Sequence, residues 1–354
     1  MEAVLDKRSG GSLAIVGSGI TAISQMTLES VSYVRHADVV FYHATNGVTA
    51  TQIRELNRNA VDLYEYYGED KRRNVTYVQM AELMLREVRA GRSVVGVFHG
   101  HPGFFVSPGR RALAIAEDEG YPTLLLPGVS ATDCMFADLR VDPGVFGCQI
   151  LMASRIFDDK LILAKDGHVV LLQISAVRDP GFSFTGYRNA AVSECLERLI
   201  KTYGEAQEAI YYMAALFPAF PPEISVHRLA DYRDKEVLDT IGAGLLYLPP
   251  SGSSVSALRN RQAFGNKAPY GPVEIQAVRA LDEHTTPAEF RRREASSALY
   301  NAMTELGVDP EARNEYCRSP QEFVARFPEL STLEQRALLK RSGREIRGVS
   351  THIL

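Results

Sequence analysis

A chain of 354 residues, 45% hydrophobic and 23% charged with a net charge of −4, has room for two domains and an appendage, and excludes fibrous and disordered classes. The charges are well mixed, so there is no basic face to neutralise phosphates and a general nucleic-acid binder is excluded. No run of eighteen apolar residues occurs and the N-terminus, MEAVLDKRSGG, has no apolar core, so neither a membrane span nor a secretory signal is expected and the protein is placed in the cytoplasm. In chain order, the apolar run 12–16 precedes GSGITA, a helical pattern runs through Met26, Leu28, Val31 and Val34, and a strand is expected over 39–42. The alternation continues with a helix over 76–90, a strand over 93–98, a helix over 108–119 and a strand over 122–126. A second unit offers strands at 168–174, 208–213 and 244–248, with a helix over 189–202. Strands alternating with helices imply an α/β fold of two subdomains with mostly parallel sheets, whose ligands bind at the carboxyl ends of the strands.

The composition shifts after Pro249-Pro250. Residues 252–294 are rich in Arg, Gly and Pro with little periodicity and read as an extended arm. Residues 295–345 become helical again, with Ser319 and Ser331 as candidate N-caps, and form a bundle too small to stand alone, so it is expected to dock on the rest. Residues 346–354 read as a tail. Cys134, Cys148, Cys195 and Cys317 lie far apart without a CxxC, which points to reduced, mostly buried thiols and to neither a zinc site nor a disulfide framework.

Three stretches could carry chemistry. Gly17-Ser18-Gly19-Ile20-Thr21-Ala22 fits the dinucleotide pattern GxGxxG/A, yet the chain offers Tyr42-His43-Ala44-Thr45 where an acidic ribose ligand belongs; a tight strand-to-helix turn explains the glycines equally well. HGHPGFFVSP, from His99 to Pro108, exposes backbone groups at a strand's carboxyl end, where an adenosine-type ligand can be held; a metal reading of its two histidines lacks a third ligand. Pro127-Gly128-Val129-Ser130-Ala131 is a second such loop on the same edge, which suggests one pocket. The third stretch, DLYEYYGEDKRRNVTY over 62–77, holds Tyr64, Tyr66, Tyr67 and Tyr77, a quarter of the sixteen tyrosines, beside Lys71, Arg72 and Arg73. A guanidinium beside a phenol favours the phenolate, so the stretch is a candidate for proton abstraction; an exposed Tyr- and Arg-rich turn is the plainer reading.

Together, GSLAIVGSGI, the tyrosine-arginine stretch, VFHGHPGFFVSP and LPGVSATDCMFADLRVDPG resemble the tetrapyrrole-methylase-type S-adenosylmethionine methyltransferases, and among them the borosin peptide backbone N-methyltransferases, over about residues 11–250. The segment 295–345 resembles the leader-binding helical domain of that family. The resemblance implies a methyltransferase domain over 1–251, a clasp arm over 252–294, a helical leader domain over 295–345, and a tail over 346–354 that is either substrate or cut short before a core peptide. It implies iterative α-N-methylation of backbone amides in a ribosomal peptide, fused to the chain or supplied by a partner. The enzyme would be a homodimer interlocked through the arms and acting in trans, with S-adenosylmethionine as donor and S-adenosylhomocysteine as product. The family's active-site residues match Tyr64, Tyr67, Arg73 and Tyr77. Its donor contacts match His99, His101, Phe104, Ser130, Ala131, Gln173, Ala214, Gly244 and Leu245, with His99 standing where some relatives have tyrosine.

The chemistry gives these residues work. An amide nitrogen shares its lone pair with the carbonyl and is a poor nucleophile toward a sulfonium methyl. The expected division of labour has Tyr67, its pKa lowered by Arg73, removing the amide proton while Tyr64 and Tyr77 hydrogen-bond the developing imidate oxygen. Tyr66 is expected to pack. A small-molecule methyltransferase of the tetrapyrrole or diphthamide type and a catalytically silent peptide-binding protein stay open as alternatives.

Overall fold

The computed structural model describes residues 10–264, 269, 271–285 and 295–349; the end of the expected tail, 350–354, and parts of the expected arm lie outside the described residues. The chain begins with β1 (Ser12–Gly17), α1 (Leu28–His36), β2 (Val39–His43), α2 (Gly47–Leu56), β3 (Ala60–Asp62) and α3 (Arg73–Arg89). It continues through β4 (Ser93–Phe98), α4 (Ser107–Asp118), β5 (Thr123–Leu125) and α5 (Ala131–Leu139). Strands β1 to β5 form a wholly parallel sheet in the order β3-β2-β4-β1-β5. Every residue of β1 is buried because helices cover both faces: Leu13 and Ile15 pack with Met80, Met84 and Leu85 of α3, while Ala14 and Val16 pack with Val34 of α1 and Ile53 of α2. Truncating a side chain such as Leu85, fully buried here, typically costs roughly 2–5 kcal/mol.

The second sheet contains β6 (Cys148–Met152), β7 (His168–Leu172), β8 (Glu208–Met213), β9 (Glu223–Arg228) and β10 (Leu245–Leu248), in the order β6-β7-β10-β8-β9. Only β6 and β7 are parallel; β10 pairs antiparallel with β7 and β8, and β8 with β9. The expectation of mostly parallel sheets therefore holds for the first sheet and fails for the second, because a short apolar run fixes a strand but not its direction. Helix α6 (Val192–Tyr203) buries Cys195, Leu196 and Leu199 on one face of this sheet, and α5 packs on the other, where Met135 meets Ile210 and Tyr212. Of the four cysteines only Cys195 is fully buried; the other three are half-buried, and all are free thiols.

After the short α7 (Lys235–Leu238), the expected irregular arm contains two helices, α8 (Val255–Phe264) and α9 (Pro272–Arg279). Helix α9 buries no residue and starts on a proline at its first turn, so it is helical by local preference rather than by packing. The C-terminal cluster comprises α10 (Ser297–Val308), α11 (Pro310–Arg318), α12 (Pro320–Ala325), α13 (Thr332–Leu339) and α14 (Gly343–Val349). Ser319 and Ser331 cap α12 and α13 as expected, whereas α14 runs on into the stretch expected to be a tail. The cluster has its own small core around Leu299, Ala302, Phe323 and Leu338. It docks on α1, where the Arg313 guanidinium donates to Glu29 (2.7 Å) and to the Tyr33 hydroxyl (2.8 Å). Among the described residues no helix is long and apolar enough to cross a membrane.

Candidate active site

Three loops meet at the carboxyl ends of β4, β1 and β5, and they meet through backbone. A Cβ on Gly17 would lie 2.2 Å from the Gly100 carbonyl oxygen, and one on Gly128 would lie 2.9 Å from the same atom. The Gly100 amide donates to the Gly19 carbonyl (2.9 Å), and Gly100 holds a φ of +74° that favours glycine. These close approaches leave an edge walled by main chain, which suits a nucleoside-type ligand held by peptide groups. The dinucleotide reading does not survive. Residues 20–27 are not helical and α1 starts only at Leu28, so no helix N-terminus stands behind the glycines. The Ile20 and Thr21 amides that a phosphate would need both donate to the Gln25 side-chain oxygen, at 3.0 Å each.

The loop after β8 closes this edge from the second sheet: the Thr21 hydroxyl donates to the Ala215 carbonyl (2.7 Å) and the Ala22 amide to the Leu216 carbonyl (2.9 Å). Ala131, Ala214 and Leu245 consequently share one apolar cluster with Ile20 of the glycine loop. Gly244 is required by packing, since a Cβ there would lie 2.4 Å from the Tyr212 carbonyl oxygen and 2.8 Å from the Tyr211 ring. Ser130 caps α5 through a box with Asp133, so its hydroxyl is committed to holding the helix start. His101 accepts the Gly103 amide on Nδ1 (2.9 Å) and meets the exposed Phe104 ring edge-on, 5.2 Å between centroids. Gln173 is exposed at the end of β7 with a left-handed φ of +57°.

The tyrosine-arginine stretch sits beside this edge. Tyr64 and Tyr66 belong to a 3-10 turn over 63–66, Tyr67 ends it, and Arg73 and Tyr77 lie in the first two turns of α3. The Tyr67 ring lies 5.5 Å from Tyr64 and 6.4 Å from Tyr77. Tyr66 joins the core under α3, as expected for a packing residue. Two groups that sequence reasoning missed complete the surround. His43, at the end of β2, lies 5.8 Å from Tyr64 and 5.6 Å from Tyr67. From the loop that follows β7, Phe182 stacks on Tyr67 at 4.2 Å and 22°, and Phe184 meets Tyr64 at 6.1 Å. The only signal for the second group is an aromatic-glycine run, FSFTGY, over 182–187.

The electrostatics reverse one expectation. Arg73 does pull the Tyr67 pKa down, but burial and then the neighbouring Tyr77, which shares a hydrogen bond with Tyr67, outweigh it and push the phenol well above its ordinary value. Tyr67 is therefore protonated in the resting protein. His99 is held down to about 4 by burial and next by His43, and His43 is itself lowered by burial against the opposing pull of Asp62. Both imidazoles are neutral at pH 7; His99 Nδ1 lies 3.2 Å from the Thr45 hydroxyl. Among the described residues Arg73 has no carboxylate partner, and no group of three or more His, Cys, Asp or Glu is placed to hold a metal.

The family profile described as Tetrapyrrole (Corrin/Porphyrin) Methylases matches residues 12–218, and that described as Borosin biosynthesis clasp domain matches residues 269–353. The chain is 37% identical to a methyltransferase/ribosomally synthesized cyclic peptide gymnopeptides precursor of Gymnopus fusipes, over 94% of this chain and 85% of that one. It is 38% identical to the corresponding omphalotin A precursor of Omphalotus olearius, over 93% and 85%. In fold it is similar to a cobalt precorrin-4 methyltransferase (TM-score 0.50, 15% identity, covering 69% of this chain and 96% of that one). A methylase domain that spans the first sheet and β6 to β8 of the second, a clasp domain that takes in the C-terminal helices, and relatives matched over more than nine-tenths of this chain place it in the borosin family of S-adenosylmethionine-dependent methyltransferases.

Proposed function

We propose that the protein α-N-methylates backbone amides of a ribosomal peptide, iteratively, with the tyrosine-arginine cluster as its proton-handling centre. The observation that carries the reading is the juxtaposition of the backbone-walled edge with the ring cluster of Tyr64, Tyr67, Tyr77 and Phe182, with the Arg73 charge felt at Tyr67. The relatives' names join a methyltransferase to a ribosomally synthesized cyclic peptide precursor in one chain, which supports a peptide as substrate. When bound at that edge, S-adenosylmethionine supplies an electrophilic methyl group; His99, His101, Phe104, Ser130, Ala131, Gln173, Ala214, Gly244 and Leu245 would hold it. The neutral His43 and His99 add no positive charge beside a cationic donor.

The chain's own residues must deal with the amide proton. A phenolate formed at Tyr67 is a strong base because burial raises its proton affinity, and that narrows the gap to a weakly acidic amide. Arg73 offsets part of the cost of forming it, and the Tyr64 and Tyr77 hydroxyls donate to the peptide carbonyl as charge develops on its oxygen. The substrate segment is the chain's own C-terminal extension or that of a partner. The arm at 252–294 clasps a second protomer in a cytoplasmic homodimer, methylation runs across the dimer, and the helices of 295–345 hold the leader. Tyr67→Phe and Arg73→Ala proteins should bind S-adenosylmethionine normally by calorimetry, yet show at least a hundredfold slower appearance of methylene increments in peptide mass. Full methylation by either variant overturns the assignment.

A further inference from the structure

The cluster around Tyr67 is built from two places in the chain. His43, Tyr64 and Tyr77 come from the first sheet and its connections, but Phe182, the ring in stacked contact with Tyr67, arrives on the loop that follows β7 in the second sheet. Three hydrogen bonds fasten that loop to the tyrosine stretch. The Arg73 amide donates to the Pro180 carbonyl (2.9 Å), and the Glu69 carboxylate accepts both the Ser183 hydroxyl and the Phe184 amide, at 2.9 Å each. Within the loop the Asp179 carboxylate takes the Gly181 amide (2.9 Å), and Phe182 and Phe184 meet edge-on at 4.9 Å, so the segment is a preformed turn held from outside at two points, of which the Glu69 carboxylate is the one made by a side chain. Glu69 and Phe184 are exposed and belong to neither hydrophobic core.

We propose that residues 180–187 form a clip, fastened by the Glu69 carboxylate, that seats the Phe182 ring on Tyr67, making Glu69 and Phe182 positioning residues for the tyrosine centre. The inference rests on the proposed amide methylation for its consequence, though not for its geometry. A stacked ring fixes the plane of the phenol and so the direction of its oxygen, and it keeps water from one face. Both effects act on a proton transfer that depends on alignment. The ionisable and charged groups facing Tyr67 are Tyr64, Tyr77, Arg73, Tyr187 and His43; none of them is carried away when the clip opens except Tyr187. Opening therefore removes an apolar wall rather than a charge, and the phenol becomes easier to ionise because water reaches it.

The test uses the full-length protein with Glu69→Ala, Glu69→Gln and Phe182→Leu substitutions. The Tyr67 phenol is followed by its own 13C signal, assigned by loss in Tyr67→Phe, as pH is raised. Expected in Glu69→Ala and Phe182→Leu is a Tyr67 titration displaced downward by about one pH unit or more. Peptide methylation should show a kcat reduced about ten- to a hundredfold with the KM for S-adenosylmethionine unchanged. Glu69→Gln, which keeps an acceptor oxygen, should fall between Glu69→Ala and the parent. A Tyr67 titration identical to the parent's in both Glu69→Ala and Phe182→Leu overturns the clip. The titration needs no substrate, so it decides the matter even if the parent protein methylates no peptide, an outcome that instead removes the functional reading.

Discussion

Tyr67 shows how one side chain can be basic and protonated together. Its phenol is enclosed by Phe182, Tyr64, Tyr77 and His43, and burial outweighs the Arg73 guanidinium, so the proton stays on at neutral pH. The fraction in phenolate form is then small and grows tenfold with each pH unit, as long as the pH stays below the raised pKa. A reaction limited by that fraction should accelerate by nearly tenfold per unit from pH 7 to 10, without the plateau that a guanidinium-lowered phenol would give. Initial rates of peptide methylation at saturating donor, measured over that range, check this. A flat profile above pH 7 would assign the proton to another group.

At the scale of elements, the docking of the C-terminal helices turns on one cation. Arg313 of α11 reaches Glu29 and the Tyr33 hydroxyl of α1 and lies over the Tyr33 ring at 5.3 Å, while the helices keep their own core around Phe323 and Leu338. Replacing it by Met should loosen the docking without unfolding either part. Amide exchange in α1, α10 and α11 should quicken roughly five- to thirtyfold, corresponding to about 1–2 kcal/mol, with β1 and β4 unchanged. The elements were unevenly legible in the sequence. Strands β4 and β8 fall at the expected bounds, 93–98 and 208–213, because each is a buried apolar run with clear ends. Strands β3, β6 and β9 went unread; β3 and β9 are exposed or half-buried edge strands, and in EISVHR of β9 the alternation is diluted by charge. The site divides the same way. The tyrosines and Arg73 are legible because one short stretch holds them all, whereas the Glu69 contacts to Ser183 and Phe184 join residues 114 and 115 positions apart, which no local pattern encodes.

Over the whole molecule, histidines held neutral by the fold weaken it in mild acid. His43 and His99 near the site are lowered by burial, His99 to about 4. His168, buried between β6 and β10, has Nδ1 2.7 Å from the Tyr247 hydroxyl and Nε2 2.9 Å from the Val145 carbonyl. A neutral ring satisfies both partners, donating through Nε2–H and accepting at Nδ1, whereas a protonated one sets its second N–H against the Tyr247 hydroxyl proton. Its pKa is lowered too, by burial first. In each case the folded pKa lies below the unfolded value near 6.5, so the unfolded chain takes up protons first as pH falls. The resulting penalty is absent above pH 6.5 and grows as pH falls below it, for His99 down to about pH 4, where it reaches at most about 3–4 kcal/mol at about 1.4 kcal/mol per unit. Urea unfolding at pH 7, 6, 5 and 4 should show a midpoint that falls steadily over this window. A His168→Asn protein should be less stable than the parent at pH 7, with the difference narrowing toward pH 4; a midpoint unchanged from pH 7 to 4 would show that these imidazoles are not held neutral by the fold.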